Sequence, residues 1–211
     1  MHRSLGRVLR KTLRRVRPPS DTQLVSVADQ LVEQDHDLGI PPIVFQTAES
    51  RLVHPSHAKA IRAFREINPS LSFVLFDGRE RDEYMMKSWS GHPILDVYKR
   101  AKFGQMRADI FRYCIVYQRG GYYFDFNKGC QVSLQSLHPP EALGLVTYES
   151  NPSLLFPSPP QVSKISNPFN LVAQWGFGFS ARHELLRMAI DRIVEIEPFF
   201  RARRKCACLL V

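Results

Sequence analysis

Cysteine is scarce in this sequence, and long apolar runs are missing from it. None of the four cysteines (Cys114, Cys130, Cys206 and Cys208) forms the C-x-x-C pair of zinc or thioredoxin-like sites, and four are too few for a disulfide scaffold. We therefore expect a reducing compartment, with Cys114 as a small core residue. No stretch reaches the roughly 18 uninterrupted apolar residues of a membrane-spanning helix, and residues 1–19 lack the apolar core of a secretory signal. The expectation is a cytoplasmic chain.

Positive charge is also missing from most of the chain, although the formal net charge is +9. Seven basic residues lie in 1–17 and four in 201–205, and neither segment contains an acidic residue. The remaining residues, 18–200, hold 18 basic and 20 acidic side chains. A protein that neutralises a run of phosphates needs its positive charge on the folded surface. The distribution argues against a nucleic-acid partner.

The basic segment at the N-terminus has an apolar stripe. Leucine, valine and threonine recur between Leu5 and Val16 at the three-and-four spacing of one helical face, and arginines cover the rest. Such a helix can lie peripherally on an anionic membrane surface. The alternative is a frayed, solvated tail, and the sequence leaves both open. Residues 20–39 are interpreted as a polar connector, and 201–211 as a basic, cysteine-containing C-terminal tail.

The region 40–200 alternates strand and helix patterns, which predicts one α/β domain with a mostly parallel sheet. A length of 211 residues suits one domain with a small appendage. The Pro- and Ser-rich stretch 151–160 is predicted to be a loop. The predicted strands are 43–47, 71–76, 122–126, 143–148 and 175–180, and the predicted helices are 56–67, 79–89, 94–101, 105–119 and 183–196.

The segment from Arg107 to Asn127 concentrates polar residues around a helix, a turn and a strand. Asp109 and Arg112 are three residues apart and share one helical face, and Gly120-Gly121 permits a sharp turn. The following strand would place Asp125 and Asn127 on one side, because side chains alternate along a strand. Two oxygen ligands at a strand end suit a hard divalent cation that also holds phosphate oxygens. The alternatives are a surface ion pair and a plain helix C-cap.

Three blocks of sequence stand out in this order: IPPIVFQT at 40–47, ADIFRY at 108–113 and GGYYFDFN at 120–127. Together they resemble the DXD sugar-binding family of glycosyltransferases (family 32-like), which includes fungal α-mannosyltransferases and bacterial polysaccharide enzymes. The resemblance implies a GT-A-like nucleotide-diphosphosugar fold and transfer of a hexose from a nucleotide-sugar donor to a glycan or lipid-linked acceptor. It also implies a divalent cation, Mn²⁺ or Mg²⁺, as cofactor.

The resemblance also assigns roles to individual residues. Gln46 and Thr47 would lie near the nucleotide. Asp109 and Arg112 would hold the donor sugar, since a carboxylate accepts bonds from hydroxyls and a guanidinium binds hydroxyl or diphosphate oxygens. Tyr123 matches the family tyrosine. Replacement of Asp109 or Arg112 by alanine is expected to weaken donor use without unfolding the domain.

Asp125 and Asn127 match the metal-binding pair of the family. The predicted catalytic set consists of Asp125, Asp109 and Arg112. Asn127 stands where the family usually has aspartate, so one negative charge is lost and metal affinity should fall. Family domains commonly continue beyond the last helix seen here, which raises the hypothesis of C-terminal truncation. Two other functions stay open: a sugar-nucleotide-binding module without turnover, and a membrane-surface adaptor that uses the basic tails.

Overall fold

The computed structural model describes residues 23–33, 38–148 and 172–202. The basic segment 3–17, the loop at 151–160 and residues 203–211 lie outside them. The strands are β1 (Val25–Ser26), β2 (Ile43–Thr47), β3 (Leu52–Val53), β4 (Ser72–Phe76), β5 (Gly121–Phe124), β6 (Gly144–Tyr148) and β7 (Val172–Phe179). The helices are α1 (Pro55–Ile67), α2 (Gly78–Ser88), α3 (Pro93–Arg100), α4 (Gly104–Arg119) and α5 (Glu184–Ala202), with a 3-10 turn at Leu134–Leu137.

The central sheet has five strands in the order β4-β2-β5-β7-β6, which confirms the α/β class. It is a mixed sheet: β4, β2 and β5 are parallel, whereas β7 runs antiparallel to both β5 and β6. The predicted parallel character therefore holds only for the first three strands. β6 runs in the same direction as β5 but does not pair with it, because β7 follows β6 in the chain and lies between the two.

Alternation along the strands divides the core between the two faces of the sheet. Phe45 and Tyr123 pack into a cluster with α2 to α5, and Val44, Tyr122 and neighbouring aromatic residues pack against α1. Cys114 is fully buried in the first cluster, as its helical pattern predicts. None of the described helices is long and apolar enough to cross a bilayer.

Local chemistry accounts for where the helices begin. His54 and His92 cap α1 and α3 by accepting backbone N–H bonds, and a proline follows each of them at the first helical position. Asp77 and Glu80 form a reciprocal capping box at the start of α2. Two of the histidines are thus cap residues, in agreement with their lack of metal-ligand spacing.

Two sequence-based boundaries are wrong. Residues 23–33 of the predicted connector pack on the domain: Val27 is buried, and Gln30 bridges to Phe73 of β4. Only two residues pair as β1, too short a run to show strand periodicity. The strand predicted to reach 126 ends at Phe124, because Asp125 begins a turn that the N–H of Lys128 closes on its carbonyl at 2.8 Å.

Candidate functional site

The predicted site residues gather at one edge of the sheet. Because β2, β4 and β5 are parallel, their carboxyl ends meet at that edge, where ligands of open α/β sheets bind. Gly120 and Gly121 connect α4 to β5 with φ angles of 67° and 101°, which favour glycine. A Cβ at Gly121 would lie 2.6 Å from the carbonyl oxygen of Ile43. Glycine thus lets β5 approach β2 and sets the position of Asp125.

Arg112 is the centre of the cluster. Its Nη2 lies 2.5 Å from Oδ1 of Asp109 and 3.4 Å from Oδ1 of Asp125. Its Nη1 donates a 2.7 Å hydrogen bond to the carbonyl of Gln174 in β7, and the guanidinium lies 5.1 Å from the ring centroid of Tyr123. The side chain is only 7% exposed. Arg112 therefore joins α4, β5 and β7, a structural role that the sequence did not predict.

Asp109 and Asp125 face solvent more than Arg112 does, with side chains 22% and 32% exposed. Burial raises the pKa of Asp109, and nearby Arg112 opposes that rise while Asp125 adds to it. Burial also raises the pKa of Tyr123, so this phenol stays protonated. Its hydroxyl donates a 3.0 Å hydrogen bond to Oδ1 of Asp125. The arrangement fixes Asp125 from one side by a phenol and a guanidinium.

Gln46 and Thr47 lie at the carboxyl end of β2, both buried. The hydroxyl of Thr47 donates to the carbonyl of Phe76 at 2.9 Å and accepts from Arg81 at 3.2 Å, so it ties β2 to β4 and α2. Nε2 of Gln46 and Nε of Arg112 are buried donors without a hydrogen-bond partner among the described residues. Unpaired buried donors are costly, and a ligand acceptor would satisfy them.

Asn127 and Asp125 lie on a turn rather than on one face of a strand. Asn127 is exposed. Both side-chain contacts of Asp125 within the described residues involve Oδ1, which leaves Oδ2 for another partner. No group of three or more His, Cys, Asp or Glu side chains suited to a metal occurs in the described part of the chain. One carboxylate and one amide fit a hard cation whose remaining ligands are phosphate oxygens and water.

Sequence reasoning missed a second polar group beside this edge. Arg81 is 2% exposed and donates to Glu49 at 3.0 Å and to the hydroxyl of Tyr98 at 3.3 Å. A cavity of about 220 Å³ lies here, lined also by Lys102 and Arg107. The available signal was the four-residue spacing between Arg81 and buried Met85 on α2, which puts an arginine on an apolar face.

The fold agrees with the family resemblance drawn from the sequence. Residues 54–143 match the family model described as the glycosyltransferase sugar-binding region containing the DXD motif. This match confirms the resemblance drawn from the sequence over these 90 residues, which are less than half of the 211 in the chain. The matched residues include Asp109, Arg112, Tyr123, Asp125 and Asn127 and leave out the block at 40–47.

Two fungal proteins are similar to the chain over part of its length. Inositol phosphoceramide mannosyltransferase 2 of Schizosaccharomyces pombe is 28% identical over 133 residues, which cover 62% of this chain and 38% of that protein. Mannosyl phosphorylinositol ceramide synthase SUR1 of Saccharomyces cerevisiae is 28% identical over 120 residues, 53% of this chain and 31% of that one. The chain spans about a third of the length of the curated relatives it matches.

A solved structure shares the fold. The structure titled PaToxG Glycosyltransferase superposes with a TM-score of 0.56 at 11% sequence identity, covering 79% of this chain and 64% of that one. At that identity the likeness concerns the fold alone. It confirms the expectation of a glycosyltransferase fold.

Proposed function

We propose that the chain transfers a hexose from a nucleoside-diphosphate sugar to a glycan or lipid-linked acceptor with the help of a divalent cation. The observation that carries the proposal is the cluster of Asp109, Arg112, Tyr123 and Asp125 at the carboxyl edge of the parallel strands. One curated relative is named as an inositol phosphoceramide mannosyltransferase and the other as a mannosyl phosphorylinositol ceramide synthase, and both names refer to a ceramide, a lipid. Mannose is therefore the first sugar to test, with a lipid-linked acceptor.

Each side chain has a chemical role in this proposal. The carboxylate of Asp109 accepts hydrogen bonds from sugar hydroxyls, and Arg112 holds that carboxylate in place at 2.5 Å. The unpaired Nε of Arg112 and Nε2 of Gln46 would donate hydrogen bonds to oxygens of the nucleotide sugar. Asp125 and Asn127 would hold Mn²⁺ or Mg²⁺, which neutralises negative charge on the departing nucleoside diphosphate. Thr47 supports the nucleotide side of the site by fixing the end of β2.

The electrostatics favour donor binding that depends on the cation. Asp125 is the carboxylate of the pair, and Arg112 lies 3.4 Å from it, so part of its negative charge is already balanced. Affinity for a free cation should therefore be weak, and the diphosphate supplies the missing oxygen ligands. Metal and donor are expected to bind cooperatively. Donor and cation titrated alone and together by calorimetry test this directly.

The module without turnover is the second candidate, and Asn127 is the observation that favours it. An amide in place of a carboxylate removes one charge from the metal pair. A binding module would bind a nucleotide sugar with the cation yet release no nucleoside diphosphate. An assay of nucleoside-diphosphate release with GDP- and UDP-hexoses, run with and without a lipid-linked acceptor, separates the two functions. Sustained release supports the transferase, and saturable binding with no release supports the module.

A further inference from the structure

A second cavity, of about 490 Å³, lies at the opposite end of α4 from the candidate site. It forms where α2 and α4 end and where α3 and α5 begin. Its principal lining residues are Tyr84, Trp89, His92, Tyr117, Arg119 and Arg182. Arg119 follows Asp109 by ten residues on α4, about 15 Å along the helix axis. The cavity is thus separate from the candidate site, and its volume falls in the roughly 300–1,000 Å³ range of small-molecule sites.

The charge of this cavity favours an anion. Arg119 and Arg182 line it, and no carboxylate does among the described residues. Neither arginine forms a salt bridge within the described part of the chain. The C-terminal ends of α2 and α4 contribute about −0.5 charge each and the N-terminal ends of α3 and α5 about +0.5 each, so the helix ends sum to about zero. Two full positive charges outweigh that sum, so the cavity remains positive.

The walls combine aromatic surface with hydrogen-bonding groups. Trp89 packs edge-on against His92 with ring centroids 5.1 Å apart, and it is 5% exposed. Its Nε1 is buried within the wall and does not face the cavity. The hydroxyl of Tyr84 donates to Oε1 of Gln118 at 2.5 Å, and Nε2 of Gln118 donates to the carbonyl of Ser88 at 2.9 Å. These bonds hold the wall in one arrangement.

The geometry points to an anionic monosaccharide, a hexose that carries a phosphate or a carboxylate, as the ligand of this cavity. The two arginines that line the cavity would bind the anionic group, because their planar N–H forks match phosphate and carboxylate oxygens. The aromatic walls suit a ring-shaped body, and the polar groups of Ser90 and Gln118 suit its hydroxyls. Sugar hydroxyls require both donors and acceptors, and an apolar cavity would supply neither.

Calorimetry on the full chain tests this inference without a nucleotide or a metal, so its outcome is independent of the proposed transferase activity. The probes are glucose 6-phosphate, glucuronate, glucose and inorganic phosphate. We expect one of the anionic sugars to bind at least about tenfold more tightly than glucose, which lacks the charge-assisted contacts, and than phosphate, which lacks the ring and hydroxyl contacts. The preference between the two anionic sugars identifies which anionic group the arginines take.

Variants locate the binding. The double variant Arg119→Gln with Arg182→Gln should weaken binding by more than about tenfold. The matched control is Lys59→Gln with Arg79→Gln, which removes the same charge from exposed positions outside the cavity.

Binding at this cavity should persist in Asp125→Ala. Loss of binding there would place the ligand in the candidate site and overturn the inference. Absence of saturable binding by any probe would overturn it as well. So would equal affinity for phosphate and glucose 6-phosphate, or equal weakening by the control pair.

Discussion

Replacing Arg112 by alanine should destabilise the whole domain as well as weaken donor binding. The change removes a nearly buried guanidinium, its 2.7 Å bond to the carbonyl of Gln174 in β7 and its 2.5 Å ion pair with Asp109. Breaking one partner of a buried ion pair costs about 3–5 kcal/mol. For a domain of this size, that loss corresponds to a fall in melting temperature of about 10 °C. The sequence alone predicted no unfolding, and the burial of Arg112 reverses that expectation.

Urea unfolding followed by circular dichroism measures this loss. Arg62→Ala is the control, because Arg62 is exposed on α1 and such changes stay within about 0.5 kcal/mol. Donor binding per folded molecule, measured by calorimetry under native conditions, separates the binding role from the structural one. An Arg112→Ala protein that unfolds within about 0.5 kcal/mol of the original would refute the account of Arg112 as the link between α4 and β7.

Three further predictions concern metal, pH and membrane. Asn127→Asp should lower the Mn²⁺ concentration needed for half-maximal donor binding, since it adds a charged oxygen ligand; an unchanged requirement in calorimetric titrations would remove Asn127 from the metal pair. Burial raises the pKa of Asp109 above its ordinary value of 3.8, so donor binding should be present above the raised pKa and lost as pH falls through it. Asp109→Asn should bind the donor more weakly at neutral pH and lack that step, and a titration in which both proteins lose binding at the same pH contradicts the assignment. Deletion of 1–17, or Leu9→Asp with Leu13→Asp, should reduce co-sedimentation with anionic vesicles and leave soluble-donor binding intact; equal sedimentation of deleted and full-length chain would leave this segment without a membrane role.

The grouping of Asp109, Arg112 and Asp125 was predictable because the interactions that produce it are local in sequence. A helix, two glycines and a strand follow one another, so the helix face and the strand end must lie near each other. The partner of Arg112 in β7 was not predictable, since Gln174 lies 62 residues further along the chain. Nothing in the spacing of α4 indicates which strand will lie beside it.

Elements that meet only in the tertiary structure account for the other gaps. The buried position of Arg81 depends on Glu49 after β2 and Tyr98 in α3, and no single periodic pattern contains all three residues. The positive cavity at the far end of α4 has the same origin, because four helix ends form it. Asp125 was predicted to lie on a strand but lies on a turn, because period-two alternation was extended across residues that form a turn.

The central claim is that Asp125 holds a divalent cation together with the nucleotide sugar. Calorimetric titration of GDP-mannose, and of UDP-glucose as the second donor, with and without Mn²⁺ tests it most directly in the original chain and in Asp125→Ala. Glu66→Ala, at an exposed position on α1, serves as the control for loss of one carboxylate. The account predicts that Mn²⁺ tightens donor binding at least about tenfold in the original chain and the control, and has no effect in Asp125→Ala. An equal effect of Mn²⁺ in all three proteins would contradict it.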